Sequence, residues 1–99
     1  MKLSINEKRI VFQILILIMK ADMILKTEES DFLDQVFNNF ELSIEEFDHM
    51  DDIDLDYLVK EFSKFEEEKK DYARKLCVQM AKCDGFVDPR ELKIIELLR

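Results

Sequence analysis

Met80-Ala81-Lys82-Cys83-Asp84-Gly85-Phe86-Val87-Asp88-Pro89-Arg90-Glu91-Leu92 prescribes how one helix stops and the next begins. Gly85 directly follows an apolar-periodic run, at the left-handed position that closes a helix. Asp88 is then an N-cap, Pro89 takes the first helical position, where its missing N–H costs nothing, and Glu91 is the third-residue partner of a capping box. Val87 and Leu92 add a hydrophobic staple across the start of the second helix. These local rules agree on one geometry: a helix, a tight turn, and a second helix folding back.

A degenerate copy of this hairpin lies earlier in the chain. With residues 12–37 laid over 74–99, Met19-Lys20-Ala21-Asp22 falls on Ala81-Lys82-Cys83-Asp84, Ile24-Leu25 on Phe86-Val87, Glu29 on Glu91, and Phe32-Leu33 on Ile94-Ile95. The first copy departs at two positions. Met23 replaces Gly85, and a left-handed residue there costs about 1 kcal/mol unless the turn differs. Lys26 replaces Asp88, removing the N-cap carboxylate and a negative charge.

Outward from the two hairpins, helical signals cover most of the chain. Ser4-Ile5-Asn6-Glu7 is a capping box that opens a helix over about residues 5–21. One of its stripes is Ile10, Val11, Ile14, Leu15 and Ile18, and a second is Phe12, Ile16, Met19 and Met23. A helix so nearly apolar all round is either central in its domain or shared with a partner. Further helices are expected over residues 27–40, 55–65, 66–83 and from Pro89 to the end, with a short one over 43–50 after the capping box Ser43-Ile44-Glu45-Glu46. The inward set includes Phe32, Leu33, Val36, Phe37 and Phe40, then Leu55, Leu58, Val59, Phe62 and Phe65. It continues with Tyr72, Ala73, Leu76, Cys77, Met80 and Ala81, and ends with Leu92, Ile95 and Leu98. Lys69, Lys70, Arg74, Lys75 and Lys82 give the remaining surface of the 66–83 helix a basic character. The reading is one all-α domain over residues 1–99, an irregular bundle of five to six helices built from two helix-turn-helix repeats.

Ala-Lys-Cys-Asp-Gly-Phe-Val-Asp-Pro-Arg-Glu-Leu, residues 81–92, resembles the A-x-A-D-G-x-hydrophobic-x-x-x-E-hydrophobic motif of the tellurite-resistance TerB-like family. These are all-helical bacterial modules, found also at the N-terminus of DjlA-type membrane chaperones, and the helix spacing over residues 5–99 is similar. The resemblance implies a helical domain with a metal-binding acidic cluster and a role in stress or toxic-anion resistance, and it does not imply an enzyme.

Composition narrows the function further. A net charge of −8 disfavours nucleic acid, whose binding depends on Lys and Arg replacing counterions, and favours cations or basic partners. The apolar run at residues 10–19 is far below the roughly 20 residues that span a bilayer, and Lys20-Ala21-Asp22 lacks a secretory cleavage pattern. A cytoplasmic protein without direct membrane insertion is expected. Cys77 and Cys83 on one helix have Cα atoms roughly 9 Å apart, too far for a disulfide, and their spacing is not that of a zinc site. Asp51, Asp52, Asp54 and Asp56 read as an acidic loop with an Asp N-cap rather than an EF-hand, because no Gly is present.

Candidate chemistry centres on the acidic turn. Asp84 sits at the negative end of a helix dipole and needs compensation. One reading has its carboxylate accept backbone N–H bonds across the Gly85 bend. The other has Asp84, Asp88 and Glu91 hold a hard cation, Ca²⁺ or Mg²⁺, with loop carbonyls and water. In the first copy Asp22 and Glu29 remain, and a weaker site is expected. His49 is the only histidine, and no serine lies in a nucleophile-elbow context, so no catalytic site is expected. The competing function is a metal-independent interaction or dimerisation domain in which the apolar first helix and the acidic surface meet a protein partner.

Overall fold

The computed structural model describes residues 2–21, 27–42, 54–83 and 89–98. Within them lie α1 (Ile5–Lys20), α2 (Thr27–Asn39), α3 (Leu55–Phe62), α4 (Glu67–Lys82) and α5 (Pro89–Leu97), and no strand. The all-α bundle is therefore as the periodicity predicts. The expected short helix over 43–50 lies outside the described residues, together with Ile44, Phe47 and His49.

α1 starts where its capping box places it. The Ser4 hydroxyl accepts from the Glu7 N–H at 3.1 Å, and the Glu7 carboxylate accepts from the Ser4 N–H at 2.8 Å, so two otherwise orphaned donors are satisfied. Val11, Ile14, Leu15 and Ile18 are essentially inaccessible, and α1 packs against each of the other four helices. This central position explains an apolar surface running nearly all round it. The second stripe is covered too: Phe12 is buried, its ring centroid 5.6 Å from that of Phe37, while Ile16 and Met19 are half-buried against the same core. Phe12, Ile16 and Met19 thus pack within the domain rather than forming the open partner face considered from the sequence, and Met23 lies outside the described residues.

Asp54 caps α3 as expected, its carboxylate accepting from the Asp56 N–H at 3.4 Å. α3 ends at Phe62, three residues before the predicted end. The Ser63 hydroxyl donates to the Lys60 carbonyl at 2.6 Å, and the N–H groups of Lys64 and Phe65 turn to the carbonyls of Glu61 and Phe62, tightening the last turn. Phe65 is still buried, because that turn brings its ring to 5.3 Å from Phe62.

α4 corrects two expectations. Its buried line is Ala73, Cys77, Met80 and Ala81, which leaves Tyr72 on the flank and exposed. Lys70, assigned to the basic surface, is buried along its stem while its ammonium lies 3.5 Å from Glu67. On α5, Leu92 is likewise exposed, while Ile95 packs against the core and Leu98, just beyond the helix, is buried in it. Of the residues predicted to face inward, Ile14, Ile18, Leu58, Phe62 and Met80 are fully buried, with Phe37 and Leu76 packed at the edge of the core.

The internal repeat governs the architecture. α1 and α4 begin and end 62 residues apart, and α2 and α5 begin at the same separation. Corresponding positions are buried in both copies: Leu3 and Phe65, Val11 and Ala73, Leu15 and Cys77, Ile18 and Met80, Val36 and Leu98. The correspondence thus starts at Leu3, well before the stretch where sequence identity reveals it. α1 packs on α5 while α4 packs on α2, and Glu7 meets its own equivalent, Lys69. Reciprocal contacts of this kind, with one contact between equivalent residues, describe two halves related by an approximate two-fold axis near Glu7 and Lys69.

Candidate cation site at the two inter-helix turns

Of the five carboxylates singled out from the sequence, Glu29 and Glu91 lie among the described residues, and Asp22, Asp84 and Asp88 lie outside them. The left-handed conformation expected at Gly85, the departures at Met23 and Lys26, and the Val87 half of the staple also lie outside them. α5 begins at Pro89 and α2 at Thr27, so Glu91 and Glu29 are each the third residue of their helix. This is the position the capping-box reading assigns to Glu91, and the repeat places Glu29 there as well.

Their burial goes beyond what capping requires. Glu91 is 0% exposed and Glu29 1%, whereas the side chain of Glu7, third in α1 and the member of a complete capping box, keeps 19% of its surface accessible. A carboxylate enclosed to this degree is expensive unless other groups compensate it, and both residues do engage other groups of the protein. The N-terminal turn of a helix supplies part of that compensation, since its N–H groups and dipole favour negative charge. Both helices reinforce the pattern with acidic first turns, Glu28 and Glu29 in α2 and Glu91 in α5.

The ends of the same hairpins carry the opposite charge. The Lys8 ammonium donates to the Phe40 carbonyl at 3.2 Å beyond the end of α2, and the Arg74 Nε donates to the Leu98 carbonyl at 3.1 Å beyond the end of α5. Each copy therefore places a buried carboxylate at the positive end of its second helix and a cation at the negative end. Sequence periodicity identified neither the Lys8 nor the Arg74 contact, because the donor is supplied by another helix.

Chemically, the turns offer hard oxygen donors, which suit Ca²⁺ or Mg²⁺ and not a thiophilic ion. Cys77 is deep in the core, where burial pushes its thiol up to about 12, so it is not a candidate ligand. Among the described residues no group of three or more His, Cys, Asp or Glu side chains is placed to hold an ion. A complete ligand set at either turn would have to draw on Asp84 and Asp88, or on Asp22. Among the described residues no helix is long and apolar enough to cross a membrane. Comparisons of the chain with protein-family models, curated proteins and solved structures found no match.

Proposed function

We propose that the chain is a non-enzymatic helical module of the TerB-like kind whose inter-helix turns bind a divalent cation, Ca²⁺ or Mg²⁺, in bacterial stress or tellurite resistance. The observation that carries this reading is the complete burial of Glu29 and Glu91 at equivalent positions of the two repeats, beside the partly accessible Glu7 at the same helical position. Capping accounts for a glutamate at the third residue, but not for enclosing it. A cation at each turn would add to the compensation that other groups of the protein already give these enclosed carboxylates. Asp84 and Asp88 would complete the stronger site with Glu91, and Asp22 the weaker one with Glu29. In such a module the ion ties the end of one helix to the start of the next, so occupancy adjusts how firmly the two hairpins are held. The motif at residues 81–92 and the paired hairpins support the TerB-like assignment.

The test is thermal unfolding with and without millimolar Ca²⁺ or Mg²⁺. An ion that binds the folded turn preferentially raises the melting temperature by mass action. Asp84→Asn is expected to abolish the rise, and Asp22→Asn to reduce it less. Isothermal titration without heat and amide shifts around residues 84–91 unmoved by either ion would leave the turns as structural caps and remove the cation reading.

A further inference from the structure

The repeat allows one face to be compared with its counterpart in the same molecule. Phe12, Gln13, Ile16 and Leu17 on α1 correspond, 62 residues on, to Arg74, Lys75, Val78 and Gln79 on α4. On α1 this face is covered: Phe12 and Gln13 are 4% and 7% exposed, Ile16 and Leu17 pack against the core, and the Phe37 ring sits against Phe12. On α4 the same four positions line an open depression of about 280 Å³. Among the described residues no ring lies over these four positions, and the residue equivalent to Phe37, Arg99, lies outside them.

Its chemistry has also changed. Arg74 closes one end, held by Asp71 at 2.9 Å, by the Leu98 carbonyl at 3.1 Å and over the Phe62 ring at 5.9 Å. Val78 and the aliphatic stems of Arg74 and Lys75 make an apolar floor. Lys75 is exposed and makes no ion pair among the described residues, and Lys82, one turn beyond Val78 on the same side, is exposed as well. Where the first copy presents neutral Phe12 and Gln13, the second presents Arg74 and Lys75, and Lys82, a lysine like its equivalent Lys20, adds a further cation in a chain whose net charge is −8.

We infer that this depression docks an acidic segment of a partner protein, with one large apolar side chain seated on Val78 and carboxylates facing Lys75 and Lys82. The apolar anchor follows from the first copy, whose equivalent face is filled by an aromatic ring. The acidic character follows from charge complementarity at the rim, which selects partners and speeds their encounter. A second copy of the chain is the poorer occupant, because two molecules each carrying −8 repel one another. The proposal uses none of the carboxylates of the acidic turns, so its test does not depend on the cation reading.

The experiment titrates the isotopically labelled full chain with a short synthetic peptide of Glu and Asp residues around one central Phe. Amide shifts are expected to concentrate at residues 74–82, and the affinity to weaken as salt is raised. Replacing the peptide's Phe by Ala should abolish binding. Lys75→Glu should weaken it about tenfold, and Val78→Glu should abolish it, with circular dichroism unchanged for both surface variants. Shifts elsewhere, no shifts, or unchanged affinity for Lys75→Glu would overturn the inference. So would sedimentation showing that the chain self-associates through this face and that the peptide does not compete.

Discussion

The Lys69 ammonium lies 3.0 Å from a Glu7 carboxylate oxygen, although the two residues hold the same place, third from the start, in equivalent helices of the two repeats. A bundle of two like halves faces a problem at its axis, because identical charges would meet there. Here the divergence of one copy to lysine turns that contact into an attractive one. The same glutamate closes the α1 capping box, so one carboxylate fixes both a helix start and the register of α1 against α4.

This arrangement sets a pH window. Burial works against ionisation of Glu7, but the hydrogen bonds from the Ser4 backbone and the Lys69 ammonium outweigh it and hold the carboxyl below its ordinary 4.5. The hydrogen bond to Glu7 holds Lys69 above its ordinary 10.5, against desolvation and helped by the charges of Glu7 and Glu66. A lowered acid contributes stability above its unfolded value and loses it as pH falls through the folded one. A raised base contributes below its unfolded value and loses it as pH rises through the folded one. The pair therefore contributes across the neutral range. Lys69→Met is expected to lower the melting temperature at neutral pH, with the deficit shrinking as the solution is acidified below 4.5. A deficit that is the same at pH 7 and at about pH 2 would show that Lys69 acts through packing alone.

Phe62 is fully buried, faces Phe65 and lies beneath the Arg74 guanidinium. Truncation to Ala removes its apolar contacts and a cation–π contact together, and is expected to cost about 3 to 5 kcal/mol in chemical denaturation. Tyr57, on the same helix and 48% exposed, serves as the control, and its truncation should cost within about 0.5 kcal/mol.

The two thiols differ enough to be read chemically. Cys77 is 1% exposed and its thiol is pushed up to about 12 by burial, while Cys83 is half-buried at the end of α4. A thiol-modifying reagent at neutral pH should label Cys83 first, with Cys77 reacting only at the rate of unfolding. Two labels incorporated at one rate into the folded protein would contradict the placement of Cys77.

What the sequence made legible follows the range of each signal. Caps and periodicity are local, so the starts of α1 and α3, the Glu91 position and the fully buried Ile14, Ile18, Leu58, Phe62 and Met80 could be read directly. Motif spacing also joined Glu29 to Glu91. The depth of their burial could not be read, because it depends on what the other helices lay over them. Tyr72 and Lys70 fail for a related reason: one position along a helix rotates a side chain by about 100°, and which edge of a broad stripe is covered is decided by the neighbour. The Glu7–Lys69 pair had a usable trace, an acid and a base at equivalent repeat positions, but only a two-fold arrangement makes that meaningful.

The end of α2 offers the sharpest prediction about the backbone. Glu41 has φ 56°, the left-handed conformation that favours glycine, and it is the only non-glycine residue with positive φ among those described. The bonds around it explain why the chain accepts this. The Glu41 N–H donates to the Asn38 carbonyl at 3.0 Å and the Leu42 N–H to the Phe37 carbonyl at 3.2 Å, the paired bonds of a Schellman closure. They direct Leu42 back over Phe37, where it is buried. A side chain at the left-handed position costs about 1 to 2 kcal/mol, and glycine removes that strain while adding freedom to the unfolded chain. Glu41→Gly is therefore expected to stabilise the protein by about 0.5 to 1 kcal/mol, and Glu41→Val to destabilise it by more than that, because a β-branched residue resists positive φ. Both are measured by urea denaturation at constant m-value. A destabilised glycine variant would mean that the Glu41 carboxylate itself, rather than the backbone closure, holds the end of α2.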